Sequence, residues 1–200
     1  MKLVLASNNK HKLSEFREML ERTDIAILSQ REAGLELEVE ENGTTFEQNA
    51  FLKADAACKA LGIPAMADDS GLVTEALNGE PGVYSARYGG EGLDDEGRYR
   101  LLLRNMENTG NRKAMFVSAI VCVFPNGDVL QARGECHGVI LRAPRGENGF
   151  GYDPVFYIPE LGASMAELTM EEKNAISHRG AALVKFRKIF EQYLKEEHPC

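Results

Sequence analysis

The chain has 200 residues, a formal net charge of −8 and an apolar fraction of 44%. That length carries one domain, or one domain with two lobes, around a sizeable core. The acidic balance argues against non-specific binding to a nucleic-acid polymer, which needs a broad basic surface. No apolar run approaches the length of a membrane span. The opening residues Met1–Ala6 are too short for a signal peptide and run straight into Ser7-Asn8-Asn9-Lys10, so a cytoplasmic protein without a membrane partner is expected. Cys58, Cys122, Cys136 and Cys200 form no C-x-x-C pair. Zinc and disulfides are therefore not expected, and Cys58 and Cys122 read as small core residues.

Lys2 to Ala6 reads as a first strand. From Lys10 to Leu20 the apolar residues Leu13, Phe16, Met19 and Leu20 recur at helical spacing. Ser7-Asn8-Asn9 is then a strand-to-helix loop, with Ser7 or an asparagine as N-cap. Free backbone N–H groups and the helix dipole make such a start attractive to phosphate, and Lys10 and Lys12 add charge. An ordinary capped helix with solvated lysines fits the same residues. Ile25 to Leu28 reads as a second strand. Leu35 to Glu40 alternates apolar and acidic residues, as a half-exposed strand does. After the turn Glu41-Asn42-Gly43, either Thr44 with Glu47 or Thr45 with Gln48 makes a capping box. The helix it opens ends near Leu61, before Gly62 and Pro64. Lys53 on that helix is either solvated or, near a cleft, a phosphate ligand.

Ile63 to Ala67 reads as a buried strand. Asp68-Asp69-Ser70-Gly71 is expected to leave it in a turn, because these residues favour turn backbone. A further strand is expected from Gly71 to Leu77. Two adjacent carboxylates repel each other unless something positive compensates them. A divalent cation is one compensator, and an ionised Asp beside it can take a proton from water. A polar turn with Asp69 or Ser70 as a cap is the alternative. Asp94 to Met106 reads as a helix. Arg112 to Phe124 and Val129 to Leu141 read as long strands joined by an Asn126-Gly127 hairpin turn. Together with the strand–helix–strand units they imply an α/β fold with a long, mixed, curved sheet.

The loop Gly146 to Pro154 sets glycines around Phe150 and Tyr152. Those rings either stack on a flat ligand ring, such as a nucleobase, or fold into the core. Thr169 starts a short helix. Ser177 is the natural cap of a last helix through about Leu194. That places His178 and Arg179 in its first turn, against the dipole, where an anion or a base carbonyl would give them a use. His11, His137 and His198 show no partner pattern, and Lys195 to Cys200 reads as a frayed tail.

Five ordered stretches stand out: Ser7-Asn8-Asn9-Lys10-His11-Lys12, Thr45 to Ala50 with Lys53, Ala67-Asp68-Asp69-Ser70-Gly71, Phe150-Gly151-Tyr152-Asp153-Pro154, and Lys173 with Ser177-His178-Arg179-Gly180. Together with Pro81 to Tyr88 they resemble the inosine triphosphate pyrophosphatase family, the non-canonical purine NTP pyrophosphatases, over essentially the whole chain. The resemblance implies hydrolysis of ITP, dITP and XTP to the monophosphate and pyrophosphate with Mg²⁺. It also implies a single domain of two lobes, with helices flanking the sheet around a central cleft, and a homodimer. Ser7, Asn8, Asn9, Lys10, His11 and Lys12 would bind the triphosphate, with Lys53 adding charge. Glu41 and Asp69 match the metal positions, and Asp69 also matches the proton acceptor. Ser70 would touch substrate. Phe150, Gly151, Tyr152 and Asp153 would form the base and sugar side, and Lys173, His178 and Arg179 the remaining nucleotide contacts. The family often has Thr-Gly-Asn where this chain has Ser7-Asn8-Asn9. Ser keeps the hydroxyl, and Asn tolerates a left-handed backbone better than most residues.

Overall fold

The computed structural model describes residues 1–20, 25–90 and 92–197, apart from the side chains of Lys10, His11, Met19, Leu20 and Glu197. Among the described residues, seven strands form one open sheet in the order β2-β1-β3-β4-β5-β6-β7. They are β1 (Lys2–Leu5), β2 (Ala26–Ser29), β3 (Ala65–Thr74), β4 (Lys113–Val123), β5 (Val129–Ile140), β6 (Phe156–Ile158) and β7 (Ala163–Ser164). The helices are α1 (Lys10–Leu20), α2 (Phe46–Leu61), α3 (Asp95–Asn105), α4 (Met170–Ile176) and α5 (His178–Glu197). β1 pairs in parallel with β2 and β3, whereas β6 pairs antiparallel with β5 and β7. Parallel neighbours need a crossover, which α1 and α2 supply. The fold is the expected α/β class with a mixed sheet and flanking helices.

The chain forms two compact units. The first comprises Met1–Asp69, Ser118–Gly134 and the chain from Arg179, the second Ser70–Val117 and Glu135–His178. In the first, Leu3 and Leu5 pack with Ile120, Cys122 and the rings of Phe16, Phe186 and Phe190 from α1 and α5. Val4, Val121 and Val123 belong to a different cluster with Ala50, Ala54 and Ala57 of α2. Strand side chains alternate between faces, so this unit buries both faces of its sheet, one under α1 and α5 and the other under α2. The stripe on α2 is made of alanines, so the helix backbone can lie close to the strands. In the second unit Leu72, Leu102, Met106, Phe116, Phe156 and Ile158 share one core.

Three sequence expectations are corrected. Leu35 to Glu40 has no strand hydrogen bonding. Its alternation is real, since Leu35 and Leu37 pack on the alanine cluster while the acids face outward. Asp68-Asp69-Ser70-Gly71 is not a turn. It is the middle of β3, which continues without a break to Thr74. The expected strand from Gly71 to Leu77 is therefore the second half of β3, followed by a short 3-10 turn at Glu75–Leu77. The supposed frayed tail is helical as far as Glu197, while His198 and Cys200 lie outside the described residues. Cys58, Cys122 and Cys136 are buried free thiols, and burial raises the pKa of each. Among the described residues no helix is long and apolar enough to cross a membrane.

Candidate active site

Asp68 and Asp69 are successive residues of one strand, so their side chains leave it on opposite sides. Each meets a different set of helices, all within the first unit.

On one side, Lys12 of α1 places its ammonium 3.1 Å from Asp68 Oδ1. Arg179, in the first turn of α5, donates from Nε to Asp68 Oδ2 at 3.2 Å. A second guanidinium nitrogen of Arg179 pairs with Glu15 of α1. Asp68, Arg179 and Glu15 are all buried. Burial opposes the charge on Arg179, but Asp68 and Glu15 outweigh it and raise the guanidinium's pKa. For Lys12 burial prevails over the attraction of Asp68, and its pKa is lowered. The loop ahead of α1 is capped locally: Asn9 Oδ1 accepts from the Lys12 N–H, and Ser7 Oγ accepts from the Asn9 N–H, each at 3.2 Å. Asn9 is thus the cap, and Asn8 stays exposed. Among the described residues the non-glycine with positive φ is Asn78, so Asn8 needs no left-handed backbone. The side chains of Lys10 and His11 lie outside the described residues.

On the other side, α2 starts at Thr45, whose side chain accepts from the Gln48 N–H. Thr45 is therefore the cap, but neither expected capping box is complete, because Gln48 Oε1 accepts from the Thr44 N–H at 2.8 Å. One turn on, Asn49 is fully buried and donates to Asp69 Oδ2 at 3.2 Å. Its own oxygen accepts from the Gly43 N–H at 2.8 Å. Asn49 therefore ties Asp69 to the segment that carries Glu41. Lys53, one further turn along, lies 2.6 Å from Glu41 Oε1 and 3.4 Å from Asp69 Oδ1. Burial alone would lower the Lys53 pKa, but Asp69 and Glu41 reverse this and raise it. Burial raises the pKa of Asp69, against the pull of Lys53 and Lys12. Among the described residues no three His, Cys, Asp or Glu side chains gather into a ready metal cage. Glu41 and Asp69 nevertheless converge on one cation, the Lys53 ammonium. Two carboxylates suit Mg²⁺, which keeps water and phosphate oxygens as its other ligands.

In the second unit Asp153 organises the glycine-rich loop. Its Oδ2 accepts from the Phe150 N–H at 2.8 Å and from the buried Lys173 ammonium at 2.7 Å. That ammonium also sits 4.5 Å from the centre of the Phe150 ring. Tyr152 is a core residue, and its hydroxyl donates to the Ser85 carbonyl at 2.8 Å. The two rings thus divide the alternatives: Tyr152 folds inward, whereas the Phe150 ring is partly exposed. His178 is buried and stacks on Phe116 at 4.9 Å. Ser70 is half-buried on β3. Gly149 has a φ of 78°, and a Cβ there would fall 2.1 Å from Asp153 Oδ2. Gly149→Ala is expected to push the carboxylate off Phe150 and Lys173, costing about 1–3 kcal/mol. Chemical denaturation would measure this, and an unchanged midpoint would refute it.

The sequence-predicted residues thus form three groups: Lys12 with Asp68 and Arg179, Glu41 with Lys53 and Asp69, and Phe150 with Asp153 and Lys173. Glu15 and Asn49 are additions. Each is a polar residue beside the apolar stripe of its helix, next to Phe16 and Ala50 respectively. That pattern is the signal that could have found them.

A family model described as the Ham1 family matches residues 3–189. A dITP/XTP pyrophosphatase of Clostridium perfringens is 46% identical over 202 residues, covering 97% of this chain and 99% of that protein. One of the same name from Bacillus anthracis is 48% identical, covering 97% and 98%. The solved structure of a HAM1 protein from Coxiella burnetii superposes with a TM-score of 0.91 at 43% identity, covering 96% of this chain and 99% of that one.

Proposed function

We propose, from the premise that this chain belongs to the Ham1 family, that it hydrolyses dITP, XTP and ITP to the monophosphate and pyrophosphate. The observation that carries this reading is full-length kinship, at 46% identity, with an enzyme named for that reaction. The chemistry of the first unit suits it. Water attacks the α-phosphorus, the bond to the bridging oxygen breaks, and its electron pair leaves with pyrophosphate. Asp69, on the strand and held by Asn49, orients that water or takes its proton. Lys12 and Lys53 place positive charge where the phosphates carry negative charge. Glu41 and Asp69 would hold Mg²⁺, which when bound neutralises the triphosphate and stabilises the leaving group. Asp68 has a supporting part, keeping Lys12 and Arg179 in place.

The base is assigned to the second unit's Phe150, Asp153, Lys173 and His178. Hypoxanthine and xanthine carry a 6-oxo acceptor where adenine carries a 6-amino donor. A donor fixed at that edge leaves ATP with donor facing donor, worth on the order of 10²-fold in specificity. That donor is proposed to be a backbone N–H, His178 or Arg179. The active species is proposed to be a cytoplasmic homodimer, which sedimentation equilibrium would test.

The deciding assay gives purified protein ITP, XTP, GTP or ATP with Mg²⁺ and separates pyrophosphate from orthophosphate. Pyrophosphate from ITP and XTP is expected, with ATP turned over on the order of 10²-fold less efficiently. Equal turnover of ATP and ITP, or release of orthophosphate, would overturn the reading.

A further inference from the structure

The loop that carries Phe150 hangs on side chains of the second unit. Two attachments are buried: Lys173 on Asp153, and the Tyr152 hydroxyl on Ser85. Another comes from outside the core. Asp95, the first residue of α3, accepts from the Gly151 N–H with Oδ2 at 2.8 Å. Its other oxygen accepts from Arg98 at 3.1 Å, which fixes the carboxylate's rotation. α3 does not need Asp95 as a cap, because Asp94 already accepts from the Gly97 N–H at 2.8 Å. An acid in the first turn gains from the dipole wherever it points. Only this orientation reaches across 56 residues to the amide between Phe150 and Tyr152.

The Gly151 position makes that bond consequential. Gly151 has a φ of 64°, and no neighbouring atom lies within 4 Å of where its Cβ would be. The peptide there is held by hydrogen bonds: the Asp153 N–H donates to the Phe150 carbonyl at 3.3 Å across the turn, and the Gly151 N–H donates to Asp95. Phe150 on one side has a partly exposed ring, whereas Tyr152 on the other is locked in the core.

We propose that Asp95 is a positioning residue, which acts through the Gly151 N–H to hold Phe150 and Asp153 in the geometry that receives the purine. The proposal rests on the reading that this loop takes the base. Asp95 sets substrate affinity and takes no part in the attack on phosphorus. Its side chain is 54% exposed, so replacing it leaves the core intact.

The test compares full-length Asp95→Ala and Asp95→Asn with the parent. In Asp95→Ala the Gly151 amide is expected to exchange with solvent about tenfold faster, because its acceptor is gone. KM for ITP is expected to rise about tenfold with kcat within about twofold, the pattern of lost binding rather than lost chemistry. Asp95→Asn keeps an acceptor oxygen and is expected to restore both. A purely structural role would lower thermal stability and kcat together and would not be rescued by Asn. Unchanged Gly151 exchange, an unchanged KM, or equal loss in both variants overturns the proposal. Should the parent turn over neither ITP nor XTP, the functional reading fails instead, and the exchange measurement still decides whether Asp95 holds the loop.

Discussion

Asp69→Asn is expected to lower kcat for pyrophosphate release on the order of 10³-fold while the protein stays folded. Asp69 is buried, and three groups converge on it: Asn49 on one oxygen, Lys53 on the other, and Glu41 beyond Lys53. An Asn of the same shape keeps the strand and the volume. It loses the negative charge that orients water or takes its proton, and half of the carboxylate pair proposed for Mg²⁺. It also presents an NH₂ group toward Asn49 or Lys53, both donors, so a modest loss of stability accompanies the loss of rate. Circular dichroism would establish that the variant is folded, and steady-state assay with ITP would give the rate. Retention of more than about a tenth of the activity would exclude Asp69 from the chemical step.

The second large effect is on stability. Arg179→Met is expected to cost about 3–5 kcal/mol, because it strands the buried Glu15 carboxylate and removes the guanidinium from Asp68. Removing both members, in Glu15→Leu with Arg179→Met, is expected to cost less than Arg179→Met alone, since no buried charge is then left without its counter-ion. Urea denaturation of the two single variants and the double closes the cycle. A double variant that is less stable than Arg179→Met would mean that Glu15 contributes by packing and not through the ion pair. The same network gives a physical reason for a cation at the start of α5, where the dipole disfavours it. Arg179 is held there by two buried carboxylates, and His178 by its stack on Phe116.

The local features legible in the sequence were those set by neighbours in the chain. Helical spacing found α1, α2, α3 and α5. Thr169 with Glu172 makes a complete capping box, and Thr45 caps α2 by accepting from the Gln48 N–H. Asn126-Gly127 marks its hairpin because glycine accepts the backbone that the turn requires, with φ at 93°. The family was legible for a different reason: its motifs are literal strings in fixed order, and they survive whatever fold carries them.

The largest misreading concerned Asp68-Asp69-Ser70-Gly71. Local propensity sends such residues into a turn, since two acids, a serine and a glycine prefer water and loose backbone. In the folded chain the cost of burying two carboxylates is offset by Lys12, Lys53 and Arg179, the last of them 111 residues further on. With those charges in place the strand runs on, and β3 stays buried almost throughout. Leu35 to Glu40 erred in the opposite direction. Alternation says only that one side is buried, and here the burial is against α2's alanine cluster without a strand to pair with.

The sequence by itself therefore determined the helices, the hairpin and the family, together with the types of side chain that the chemistry needs. Tertiary structure alone decided that Asp68 and Asp69 have different tasks. The strand's period of two sends them to opposite sides, where α1 and α5 meet one and α2 meets the other. No local propensity carries that division, because every partner that enforces it is brought there by the fold.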